Sequence, residues 1–148
     1  TALALQIGHT ISVDFDFFTE KHLDKDALRR ELPFIATSTV LQERPDTLTV
    51  LVTDTVDVTP VKVSFFGGIN CGRVGDPEIT PDGTVMVASC ADLLATKLKV
   101  ILQRIEAKDY RDIAAMLAAG ASLAQGLADA RVLYGPAFQP SEALKALV

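Results

Sequence analysis

Gly8-His9-Thr10-Ile11-Ser12-Val13-Asp14-Phe15-Asp16-Phe17-Phe18 sets a glycine turn and a hydroxyl ahead of a short apolar run that holds two acids. Along a β-strand alternate side chains share a face, so Asp14 and Asp16 project together while Val13, Phe15 and Phe17 point the other way. Two like charges this close call for a cation. Hard oxygen ligands beside a small-residue turn suit Mg²⁺, which is usually held by one or two carboxylates together with substrate phosphate oxygens. The spacing by itself is short and common, and it equally describes a strand whose polar face meets water. Around this strand the rest of the chain reads as α+β, with strands grouped first and helices last.

Composition sets the outer bounds. A chain of 148 residues with 49% hydrophobic content is long enough for one domain with a sizeable core, and residues 1–148 are read as a single unit, strand-rich over 1–88 and helical over 89–148. The net charge of -5 argues against a globally basic nucleic-acid binder, so any polyanion has to meet a local basic patch. No apolar run approaches the roughly 20 residues needed to cross a bilayer. Thr1-Ala2-Leu3-Ala4-Leu5 lacks a basic leader and a cleavage pattern, so a cytoplasmic protein is expected, and the missing initiator Met suggests a natural chain that extends upstream. Cys71 and Cys90 have no metal-type spacing and read as reduced structural thiols. His9 and His22 are too few for a histidine-rich metal centre, and neither lies in a nucleophile motif.

Thr1 to Ile7 reads as a helix end closed by Gly8. Thr19 is the expected cap of an amphipathic helix in which Leu23, Ala27, Leu28 and Leu32 share a face, ended by Pro33. Phe34–Leu41, Thr47–Asp54 and Thr59–Phe66 are strand candidates, separated by turns at Glu43–Asp46 and Asp54–Asp57. The glycines of 67–75 suggest a loose loop, with no phosphate-binding or dinucleotide fingerprint in it. Thr80-Pro81-Asp82-Gly83 is a turn into a short strand at Thr84–Ala88. Ser89 caps a helix expected over Ala91–Ile105 with Leu94, Leu98, Ile101 and Ile105 buried. Further helices follow over about Lys108–Ala119, from Ser122 to about Leu133, and after Pro140 with Ser141 as a possible cap.

Two constellations carry chemistry. In the first, Asp14 and Asp16 are the metal ligands, Gly8 permits close backbone approach, and Ser12 offers a hydroxyl to a phosphate oxygen. In the second, Lys97, Arg104, Lys108 and Arg111 form a basic stripe. Asp109 and Asp112 sit at i,i+3 to support it by pairing with Arg104, Lys108 or Arg111. Positive charge beside a dicarboxylate is what phosphoryl or nucleotidyl transfer requires, although a lone basic stripe is also an ordinary solvated helix face.

Taken in order, these residues resemble the bacterial abortive-infection nucleotidyltransferase toxins of the AbiEii/AbiGii type, within the polymerase-beta-like nucleotidyltransferase superfamily. Thr1-Ala2-Leu3-Ala4-Leu5 is similar to the family's Gly-Gly-Thr-Ala-Leu opening. Gly8 to Phe17 is similar to its Gly-His-Arg-x-Ser-x-Asp-x-Asp-Phe segment. Asp92-Leu93-Leu94-Ala95-Thr96-Lys97, Arg104 and Lys108-Asp109-Tyr110-Arg111-Asp112 resemble the later Asp-x-x-Ala-x-Lys, Arg and Lys/Arg-Asp-x-x-Asp pattern.

The resemblance implies a mixed sheet carrying the acid pair and a two-metal enzyme that moves a nucleotide from an NTP to an acceptor. It further implies Mg²⁺ on Asp14 and Asp16, and triphosphate or acceptor contacts from Lys97, Arg104 and Lys108. NTP, an RNA acceptor and an antitoxin protein are the implied partners, in a toxin–antitoxin or phage-defence setting. Three features depart from the pattern. The paired glycines expected before Thr1 are not in this sequence, Thr10 stands where arginine is usual, and the expected third carboxylate position holds Ser64. Serine binds a phosphate or a water but is neither a general base nor a strong Mg²⁺ ligand. Asp57 lies too far back to replace it without a register shift. The alternatives are a degenerate relative that binds nucleotide or a protein partner without catalysis, and an unrelated α+β domain whose acids face solvent.

Overall fold

The computed structural model describes residues 2–8, 14–53, 59–70 and 72–148. Contacts concentrate in two units, one within Ile11–Cys71 and the other made of Ala2–Thr10 with Gly72–Val148. The expected turn at Asp54–Asp57, and with it Asp57, lies outside the described residues, as do Ser12 and Cys71.

The first unit is a four-stranded mixed sheet in the order β1-β4-β3-β2, built from β1 Asp14–Phe18, β2 Thr39–Arg44, β3 Thr47–Val52 and β4 Val61–Phe66. β1 runs parallel to β4, and the other neighbours are antiparallel. Alternation sorts the faces. Phe15, Val63, Phe65, Val50 and Leu48 turn to one side and pack with Ile35, Leu23, Leu28 and Leu32 as the unit's core.

Local rules decide the connections, and three expectations change. The helix expected to start at Thr19 is α2, Lys25–Glu31, capped by the Asp24 carboxylate, which accepts from the Ala27 amide at 2.8 Å. Residues 19–23 are instead tied to the sheet: Thr19 N donates to Phe66 O, Gly68 N to Lys21 O, and Leu23 N to the Asp46 carboxylate. Those bonds, with Gly67 N to Asp46 O and Ile69 N to Thr19 O, also fix the start of the glycine loop that was expected to be loose. Third, Phe34–Thr37 forms a helical turn, α3, where a strand was expected. The Thr37 and Ser38 hydroxyls both bond the Phe34 carbonyl, so side-chain capping outweighs β propensity until β2 begins at Thr39.

In the second unit α1, Ala2–Ile7, ends at Gly8, whose φ of +61° is the left-handed closure a glycine allows. β5 Glu78–Ile79 pairs with β6 Met86–Val87 across the Thr80–Gly83 turn, so the expected Thr84–Ala88 strand shrinks to a two-residue partner of a strand the alternation did not reveal. α4 Cys90–Val100, α5 Ala107–Ala118, α6 Leu123–Tyr134 and α7 Pro140–Ala146 follow, with one 3₁₀ turn at Gly135–Ala137. Ser89 and Ser122 cap α4 and α6 through their hydroxyls, as expected. The last helix starts at Pro140 itself, without a side-chain cap. Leu94, Leu98, Ile101, Ile113, Met116, Leu127 and Phe138 form this unit's core.

α4 stops short of Ile105, which is 89% exposed and not part of the buried stripe. The chain turns through Gln103 so that α5 can return against α4. Gly126 lets α6 close on α4: a Cβ there would lie 2.6 Å from Leu94 Cδ2. Among the described residues no helix is long and apolar enough to cross a membrane.

Candidate active site

The sheet face opposite the first unit's core carries the acids. Register places Asp14 beside Lys62 and Asp16 beside Ser64, and Ser64 in turn lies beside Thr49 on β3. Asp14 and Asp16 therefore share a face, as their spacing requires, and an arrangement that splits them across the sheet does not occur. Asp16 is exposed and Asp14 half-buried, whereas Ser64 is 3% exposed. Lys62 Nζ lies 3.4 Å from Asp14 Oδ1, so one of the two acids already faces a fixed cation. Two residues further along, Phe18 and Phe66 stack at 5.3 Å on the same face.

Sequence reasoning singled out Ser64 and passed over Lys62. Its signal was present in the Val61-Lys62-Val63-Ser64 alternation, which puts Lys62 on the Ser64 face.

The second constellation is a separate cluster in the second unit. Lys97 projects from α4 between two α5 carboxylates, 2.7 Å from Asp109 Oδ1 and 2.5 Å from Asp112 Oδ2. Arg104 Nε donates to the other Asp109 oxygen at 3.0 Å. Asp109 is fully buried. Burial pushes its pKa up, but the hydrogen bonds from Lys97 and Arg104 and their charges outweigh this and hold it below the usual carboxylate range. For Lys97 desolvation works downward, and the bonds to Asp109 and Asp112 carry the ammonium above its ordinary value.

Two cations thus meet two buried anions, and what reads in sequence as a basic stripe is largely a neutralised cross-link between helices. The expected partners of Asp109 and Asp112 were Arg104, Lys108 or Arg111. Arg104 is found, and Lys97, twelve residues from Asp109, is the addition. Lys108 and Arg111 are exposed on α5. Gly8 closes α1 in this second unit, and Ser12 is outside the described residues.

One further anchor escaped the sequence reading. Asp92 accepts from the Val74 and Gly75 amides and from the Ser89 hydroxyl, at 2.7, 3.3 and 2.6 Å, holding the 74–75 segment on the N-terminus of α4. Cys90, the first residue of α4, is a free thiol whose pKa is pushed up by burial and by the charge of Glu78. It is therefore not an activated nucleophile.

The donor set can be tested against Mg²⁺ by its chemistry. Asp14 and Asp16 are hard oxygen ligands on one face of a single strand, which fits an ion that completes its octahedron with phosphate oxygens and water. Among the described residues no group of three acid, His or Cys side chains is suited to hold a metal.

A mixed sheet bearing an acid pair on an inner-strand-paired edge, with a helical second part, is the architecture expected of a nucleotidyltransferase-like protein. The family model described as Nucleotidyl transferase AbiEii toxin, Type IV TA system, matches residues 1–142, and the chain belongs to that family. It is also similar to an uncharacterized protein of Aquifex aeolicus strain VF5, aq_aa25. The two are 32% identical over 115 residues, which covers 76% of this chain and 52% of that protein. The chain therefore spans about half the length of the curated relative it matches.

Proposed function

We propose that the protein is a Mg²⁺-dependent nucleotidyltransferase, the toxin of a toxin–antitoxin or phage-defence pair, acting in the cytoplasm on an NTP and an RNA acceptor. The observation that carries this reading is the shared face of Asp14 and Asp16 on β1, beside Ser64 and Lys62, in a chain of the AbiEii family. The antitoxin is the functional counterpart that the family description supplies. Mg²⁺ bound by Asp14 and Asp16 supplies positive charge at the triphosphate.

In the transfer the acceptor hydroxyl oxygen attacks the α-phosphorus and the bond to the α–β bridging oxygen breaks. Pyrophosphate leaves with that electron pair. The hydroxyl proton passes to water, because Ser64, opposite Asp16, cannot receive it as a base. Ser12 offers a hydroxyl to a phosphate oxygen. In the second unit, Lys108 and half-exposed Arg104 present charge to a polyanionic acceptor, while Lys97, with Asp109 and Asp112, holds α4 to α5.

The experiment is incubation of the full-length protein with Mg²⁺, each labelled NTP and total RNA, beside Asp14→Ala and Asp16→Ala. Label enters RNA with the unaltered protein only. Labelling that survives both substitutions removes these residues from the reaction. Ser64 favours one second reading, a family member that binds nucleotide without transferring it. Tight GTP–Mg²⁺ binding in calorimetry with no product would establish that instead.

A further inference from the structure

Resting on the nucleotidyltransferase reading of β1, we propose that Phe18, braced from behind by Phe66, is the platform on which the base of the bound NTP stacks.

An apolar ring on the water-facing side of a sheet needs an explanation, and core packing does not supply it here. Alternation along Asp14-Phe15-Asp16-Phe17-Phe18 puts Phe18 on the face of the two acids. Phe18 is 60% exposed, and neither it nor Phe66 belongs to the core of the first unit. The same two strands stack a second pair, Phe17 on Phe65, on the opposite face, where Phe65 is 6% exposed and does belong to that core. One aromatic pair therefore helps to close the fold. The other lies open beside the acids.

The open pair is built as a ready surface. The rings of Phe18 and Phe66 are 5.3 Å apart and inclined by 18°, so Phe66 covers one face of Phe18. β1 is an edge strand, and the second face of Phe18 turns away from β4, off the edge of the sheet. Thr19 N donates to Phe66 O at 2.9 Å, which ties down the backbone directly after Phe18. A ring held in this way gives up little freedom when a second flat ring stacks on it, so the contact forms at low entropic cost.

The occupant follows from the order of rows along the face. Asp14 lies beside Lys62, Asp16 beside Ser64 and Phe18 beside Phe66, so charge fades toward the C-terminal end of β1. An NTP has the same polarity, with a polyanionic triphosphate at one end, a flat uncharged base at the other and ribose between. Two residues along a strand separate Phe18 from Asp16 by about 6.6 Å, the span of one ribose between a metal-held α-phosphate and its base. Stacking engages the π face, which every base has, so the platform accepts all four bases and favours purines through their larger area.

The test separates base from phosphate. The full-length protein is titrated calorimetrically in Mg²⁺ with α,β-methylene ATP and, separately, with inorganic tripolyphosphate. Phe18→Leu keeps an apolar side chain and removes the π face. It weakens the nucleotide analogue about tenfold and leaves tripolyphosphate affinity unchanged, while Phe18→Trp binds the analogue at least as tightly as the unaltered protein. In a parallel titration without acceptor, 2-aminopurine riboside triphosphate loses fluorescence on binding the unaltered protein, as a stacked base does, and keeps it with Phe18→Leu. A merely structural role for Phe18 would lower both affinities together. Such a parallel loss overturns the platform, and so does analogue affinity unchanged in Phe18→Leu with the quenching retained. Asp16→Asn marks the level of failure. If it abolishes binding of both ligands and Phe18→Leu changes neither, the platform falls alone. If Asp16→Asn changes neither, or the unaltered protein binds neither, the nucleotidyltransferase reading falls as well.

Discussion

Replacing Lys97 by Met keeps the unbranched stem on α4 and removes the ammonium from between Asp109 and Asp112. Asp109 is wholly buried and Asp112 nearly so, whereas the Lys97 side chain is 20% exposed. Breaking a buried ion pair by deleting one partner costs about 3–5 kcal/mol. Arg104 still neutralises Asp109 through Nε, which places the cost near the lower end, about 3 kcal/mol. For a chain of this size that is a fall in Tm of roughly 6–12 °C.

Thermal and urea unfolding followed by circular dichroism at neutral pH measures it. Lys97→Met with Asp112→Asn removes a charge of each sign and should recover at least half of the loss. A single variant within about 1 °C of the unaltered protein would refute the argument. It would show that the cluster is solvated and that Lys97 is not a cross-link of α4 to α5.

The same cluster fixes a pH dependence. Asp109 titrates below its ordinary range in the fold, so its contribution is complete above the unfolded value, about 3.9, and is lost as pH falls through the lower folded value. Lys97 titrates above its ordinary value, so its contribution is complete below about 10.4 and is lost as pH rises beyond it. Unfolding midpoints should therefore be flat from about pH 5 to 9 as far as this cluster is concerned, and Asp109→Asn should flatten the acid limb. Gly126→Ala should destabilise by about 1–3 kcal/mol in urea titration, because its Cβ would meet Leu94 and Leu98, despite a gain of about 1 kcal/mol in helix propensity. Ser89→Ala should cost about 1–2 kcal/mol, since the hydroxyl caps α4 and bonds buried Asp92, and amide exchange of Val74 and Gly75 should accelerate with it.

What could be read from sequence was what local chemistry decides. The alternation of Val61–Phe65 and the acid spacing on β1 fix which side chains share a face, and the structure keeps both. Ser89, Ser122 and the glycines after α1 and α5 are helix punctuation that needs no tertiary context. The errors fall where distant atoms choose between local options. Thr19 and Asp24 are both competent caps, and the Phe66 carbonyl and the Asp46 carboxylate draw 19–23 into the sheet, so Asp24 wins. Ile105 continues the apolar stripe of α4 on paper, but the return of α5 onto Lys97 ends the helix first. At the site, Asp14, Asp16 and Ser64 were legible from alternation. That Lys97 turns to Asp109 and not outward depends on a reversal between two helices that spacing does not contain.

The most direct test of the central claim is an amide correlation spectrum of the full-length protein titrated with Mg²⁺ and an α,β-methylene NTP. If the acid face of β1 and β4 holds the metal–nucleotide, the largest shifts fall on Asp14–Asp16 and Lys62–Ser64 and vanish in Asp16→Asn. Saturable shifts elsewhere, with those two strands unmoved, would contradict it.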